Sequence, residues 1–176
     1  MAIGWLRKYW WAATAVVAAL GIGLGVFLTL PSHPARVLPP ARARVYTAFD
    51  ACLLTDSAGI GSAQAAPVWS GMQAASVQSS GKVSFLSVYG PDTAANAVPY
   101  VNTLVQRQCN LVLAVGPSQV AAARQQAGAF PKVHFVVIDG GSSSGNVTAV
   151  APGKDTDVSS AVKNIVIDAA DSISVR

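Results

Sequence analysis

Four short apolar runs, each closing on a small or acidic residue, organise the chain between Ala51 and Gly140. They are Ala51–Asp56, Val83–Gly90, Leu111–Gly116 and Val133–Gly140. Their length and bounded ends predict strands, the first within residues 45–55 and strongest from Ala51, the second over 82–89, the third over 109–115. The segments between them carry helical spacing. Val68, Met72 and Ala75 share one face of a helix expected to open near Pro67, since proline suits the first helical position. Gly71 lets that helix approach the sheet, and Ser80-Gly81 ends it. Val98, Val101, Leu104 and Val105 form the next stripe, capped by Thr93 or Asn96, with Pro99 tolerated only in the first turn. Ser118 is the expected cap of a third helix over 120–126, ended by Gly128. Gly140–Gly145 reads as a flexible loop and Asn146–Val150 as a short fifth strand. A last helix, capped by Thr156, turns Val158, Ala161, Val162, Ile165 and Ala169 inward.

Strands alternating with helices predict an α/β fold: a three-layer, Rossmann-like, doubly wound parallel sheet. Such sheets take ligands beyond the carboxyl ends of their strands. Asp56, Tyr89, Gly116 and Asp139 stand at those ends.

A different pattern precedes the domain. Residues 10–30 hold no charge and are long enough to cross a bilayer, which needs roughly 20 residues. Arg7 and Lys8 lie before them, and Trp5, Trp10 and Trp11 suit a membrane interface. The expectation is a cytoplasmic start (1–9), a transmembrane anchor (10–30), a proline-rich spacer (31–44) and a lobe (45–176) on the extracytoplasmic side of the cell membrane. A cleaved signal is the alternative; Ala41-Arg-Ala43 has the form of a cleavage site but lies well past Leu30. Gly21 and Gly25 have the spacing of close-packed membrane helices, a pattern that segments rich in small residues also show by chance.

The formal charge of +4 belongs to the leader: from Val45 onward seven Lys or Arg face eight Asp or Glu. That balance gives no basic footprint for nucleic acid. No serine has an evident activating base, and no Cys-x-x-Cys or His-x-x-x-His array marks a metal or cofactor site. A lone strand histidine, His134, reads as a packed or surface residue. A hydrolase using Asp56 or Asp139 is therefore the weakest class, and the expectation is a protein that is not an enzyme. Asp56 and Asp139 either meet ligand hydroxyls or satisfy amides of their own loops. Gly116-Pro-Ser118 offers backbone amides at a helix start. Cys52 and Cys109 are either bridged, as an oxidising compartment would permit, or two buried thiols. Asn146-Val-Thr148 has the form of a glycosylation acceptor.

Three blocks carry a family resemblance. The first is Leu53–Gly59 with Val68–Gly71; the second is Pro99–Val105 running through Cys109 to Gly116; the third is Phe130–Gly140. In order and spacing the chain resembles the basic membrane protein (BMP) substrate-binding family, also described as PnrA-like binding proteins of ABC transporters. The resemblance implies one lobe of a type I periplasmic-binding-protein fold. It also implies ligand-facing roles for Asp56, Gly116 and Asp139, a nucleoside-like small molecule, and an ABC permease as partner. Three departures stand beside it. Residues 61–68 lack the aromatic and Asn-containing segment of the family; no lipoprotein cysteine lies near Leu30; and no second lobe is expected in the remaining residues. One lobe supplies one wall of a cleft, so a homodimer is an expected way to complete it. A module of the same fold that binds proteins and no ligand is the alternative.

Overall fold

The computed structural model describes residues 45–174, within one unit of the chain, Arg44–Arg176. The expected anchor at 10–30, its glycine pair and the spacer at 31–44 lie outside the described residues. No helix among the described residues is long and apolar enough to cross a membrane.

Five strands form one parallel sheet: β1 (Asp50–Thr55), β2 (Lys82–Ser87), β3 (Leu111–Ala114), β4 (His134–Ile138) and β5 (Val147–Val150), in the order β2-β1-β3-β4-β5. Register places Leu53 beside both Phe85 and Leu113, Leu113 beside Val136, and Val136 beside Thr148. Four helices cover it: α1 (Ala65–Ser79), α2 (Ala94–Gln106), α3 (Pro117–Ala127) and α4 (Asp155–Ser174). Alternate strand residues point to opposite faces. Ala51, Leu53, Leu111, Leu113 and Val136 therefore pack under α1 and α4, while Cys52, Leu54, Val112, Phe135 and Val137 pack under α2 and α3. Two layers of helix around one sheet give the doubly wound α/β architecture. Every residue of β3 is buried, as its unbroken apolar run requires.

Local departures from the sequence reading have local causes. Helix α1 begins at Ala65, ahead of Pro67; its N-cap, Gln64, makes no side-chain cap bond, and Ser62 Oγ accepts the Ala65 amide at 3.2 Å. The Val45–Phe49 lead-in stays outside the sheet; Thr47 donates its amide to the Ser80 carbonyl at the end of α1. Pro99 lies in the second turn of α2, not the first. It withholds a donor from the Ala95 carbonyl, and both residues are exposed, so water can serve in its place. Thr93 is the cap of α2, its Oγ1 accepting the Asn96 amide at 3.3 Å. In α4 the fully buried stripe is Val158, Val162, Val166 and Ala170, with Ala161, Ile165 and Ala169 only partly covered. Helix α4 starts at Asp155, one residue before the expected cap at Thr156. Gly71 permits the closest helix approach: a Cβ there would strike the backbone carbonyl of Ser159 on α4.

Candidate functional site

The chain leaves β1 for α1 on one face and leaves β3 for α3 on the other, so a crevice opens between the two helix starts. A cavity of about 390 Å³ occupies this end of the sheet. Pro67 of α1, Gly116 and Val120 at the start of α3, Ile138 and Asp139 at the end of β4, and Asp155 of α4 are among its walls. Its lining is mainly apolar with a few polar groups, and its size suits a small ligand. The structure thus brings Gly116 and Asp139 together and leaves Asp56 outside the walls.

Gly116 is the N-cap of α3 at φ +103°, and Pro117 occupies the first helical position. This corrects the expected cap at Ser118, which is buried within the first turn. A side chain at Gly116 would be strained by that φ and would collide with Gln119 Oε1. Gln119 is 2% exposed, and its Oε1 has no hydrogen-bond partner.

Asp139 is held rather than free. Arg124 of α3 donates Nε to Oδ2 at 3.0 Å and Nη2 to Oδ1 at 3.1 Å, and the Gly141 amide donates to Oδ1 at 2.9 Å. Burial opposes ionisation of this carboxyl, but the Gly141 amide and the Arg124 guanidinium together outweigh it and hold the group below its ordinary range. Arg124 Nη1 also donates to the Ser142 carbonyl at 3.1 Å. Sequence reasoning missed Arg124; its signal was the one charged residue in an otherwise uncharged α3. Asp56 accepts the Ala58 amide at 3.0 Å, while Thr55 Oγ1 lies 3.2 Å from Ser87 Oγ behind it.

The Gly140–Gly145 segment, expected to be flexible, is tied down. Besides the Arg124 bond, Ser144 and Val147 exchange backbone bonds, and Ser143 Oγ accepts the Ala149 amide at 2.8 Å. Gly141–Gly145 has the Gly-x-Ser-x-Gly spacing of a nucleophile elbow, but it joins strand to strand instead of strand to helix. Asn146 does not fit the glycosylation reading: its Nδ2 donates to the carbonyls of Ala127, Phe130 and Val133 at 2.8 to 3.0 Å. His134, at the opposite end of β4 from the cavity, bonds Thr148 Oγ1 at 2.9 Å, and burial lowers its pKa.

Cys52 and Cys109 form a disulfide with Cα atoms 5.9 Å apart. Asp50 lies beside it, its Oδ1 3.7 Å from Cys52 Sγ. These three are the grouping of metal-type donors among the described residues, and both sulfurs are already spent in the bridge.

No family model matches the chain, and no curated protein matches it. Among solved structures, a protein described as a lipoprotein, as a fragment, from Peptoclostridium difficile 630 superposes with a TM-score of 0.54 at 16% identity, over 69% of this chain and 98% of that one. An ABC transporter solute-binding protein from Aeropyrum pernix K1 gives a TM-score of 0.49 at 18% identity over 57% of this chain. A transcriptional activator of the comK gene from Bacillus halodurans gives 0.46 at 19% over 56%. The chain spans 28% and 33% of those last two proteins. At such identity the first likeness concerns the fold.

Proposed function

We propose that this lobe is a BMP-like solute-binding or sensor domain, tethered outside the membrane, that takes an uncharged small molecule such as a nucleoside. The observation carrying the reading is the largely apolar cavity at the switch point of the sheet, with Gly116 and Asp139 among its walls. No basic side chain is among those walls, and Asp139 and Asp155 are, which disfavours an anion. Asp56 is left out of the proposed contact set. The disulfide agrees with an oxidising compartment, and the three sequence blocks supply the link to ABC-type transport.

A thermal-shift screen of nucleosides and sugars tests it. A ligand at about 100 times its Kd stabilises the fold by about 2.7 kcal/mol, several degrees in Tm. Asp139→Asn should reduce that rise. Absence of any shift across the screen would favour the second reading, a protein-interaction module of the same fold. One observation supports that second reading: the Asp139 oxygens are already engaged by Arg124 and Gly141.

A further inference from the structure

One buried polar group is left over by the fold. Gln119 is the third residue of α3, counted from Pro117. A glutamine at that position ordinarily turns back and bonds the N-cap amide. Gln119 does turn back: its Oε1 lies against Gly116, where an added Cβ would collide with it. Yet Oε1 has no hydrogen-bond partner, although the residue is only 2% exposed. An acceptor buried in this way costs stability until a donor reaches it. Val120, Ala122 and Ala123 beside it in α3 are apolar, so packing alone does not call for an amide there.

Donors are left over at the same place. Gly116 has no side chain to cap α3, and Pro117 has no N–H. The amides of Ser118 and Gln119 meet no acceptor among the described residues. An acceptor without a donor thus stands beside donors without an acceptor. Gly116, Pro117 and Val120, the residues around Gln119 in the chain, are walls of the cavity. Gln119 stands behind them, and the missing side chain at Gly116 lets Oε1 come up to that wall.

We infer that Gln119 selects the ligand, an assignment that rests on the solute-binding reading of the cavity. The ligand it selects carries an N–H donor beside a carbonyl acceptor, as on the edge of a cyclic amide. The N–H goes to Gln119 Oε1 and the carbonyl to the uncapped amides of α3. A carboxylate or phosphate would satisfy the amides and set a second acceptor against Oε1. Sugar hydroxyls can donate and accept, but the mainly apolar lining favours a flat ring over a polyol.

Titration of the full chain in detergent tests it, with uridine against 3-methyluridine and inosine against 1-methylinosine. Each methyl group removes the N–H and keeps the ring. The protein should bind one or both parents about tenfold or more tightly than the methylated form. Gln119→Met, which keeps the length of the side chain, should lose that preference and bind the parent about tenfold or more weakly. Without ligand the same variant should melt no lower than the unsubstituted protein, because it removes an unmet acceptor. A lower melting temperature would mean that Gln119 caps its own helix or holds a structural water, and overturns the inference with no ligand needed. Equal binding of parent and methylated form, unchanged binding by Gln119→Met, or a response to sugars alone overturns it and leaves the solute-binding reading standing. No response to any nucleoside or sugar overturns both.

Discussion

Asn146 holds three carbonyl oxygens with one amide group, those of Ala127 at the end of α3, Phe130 in the following turn, and Val133 ahead of β4. One side chain therefore closes a whole helix-to-strand connection. Asn146→Ala should cost about 1–3 kcal/mol, because it strands partly buried acceptors as well as losing the bonds; chemical denaturation would measure it. Mass spectrometry of protein made in a glycosylating host should find Asn146 unmodified. Asp50 illustrates the opposite sign. Burial raises its pKa from the ordinary 3.8, and Lys82 offsets this only in part. A raised carboxyl adds stability that is complete below 3.8 and is lost as pH rises through the folded value. Asp50→Asn should consequently raise Tm near neutral pH and leave it unchanged in acid, read from melts across pH 3 to 7. For Asp139 the direction reverses. Its depressed pKa contributes stability above the ordinary carboxylate range and loses it as pH falls through the folded value. Arg124→Ala should move that acid transition upward in pH. Little of this was visible in the residues themselves. Asp139 stood out because it ends an apolar run, but its ion pair joins residues fifteen apart across a helix and a strand. Nothing in local spacing reports such a contact.

At the scale of elements, short apolar runs bounded by turn residues and alternating with helical spacing were enough to place all five strands and four helices, including β2, none of whose residues is fully buried. Ends were harder. Helix α1 begins after Gln64, with Ser62 Oγ accepting its first amide, and α3 begins at a glycine with φ +103°, and both depend on backbone paths that side-chain type constrains weakly. Burial on α4 followed Val158, Val162, Val166 and Ala170, a stripe fixed by how α4 lies across α1. That crossing rests on Gly71. Gly71→Ala should destabilise the fold by about 1–3 kcal/mol despite the better helix propensity of alanine, because the added methyl meets the Ser159 carbonyl and backbone must yield. A gain in stability on substitution would show that the two helices can separate at little cost.

On the scale of the molecule, sheet order decides where a ligand can sit, and the cavity lies where that order changes direction. Of the four strand ends named from the sequence, Gly116 and Asp139 line the cavity, and Asp56 and Tyr89 do not. The rest of its lining was not legible: Pro67, Val120 and Asp155 reach it from three helices whose relative placement emerges only on folding. The disulfide spans 57 residues of sequence and fastens the turn after α2 to the middle of β1. In a chain-entropy description a loop of that size is worth about 4 kcal/mol. The double variant Cys52→Ser with Cys109→Ser should lose most of that in denaturant titrations.

Both sulfurs of that bridge are sealed, at 1% and 2% residue exposure. An oxidising enzyme cannot reach them once α2 has docked, and neither can a reductant. The crosslink must then be made on a nascent, half-assembled chain, before α2 has docked, and thereafter its lifetime is set by how often the domain opens and not by the redox poise around it. A mature sample left in millimolar dithiol should shed the bond at its rate of unfolding.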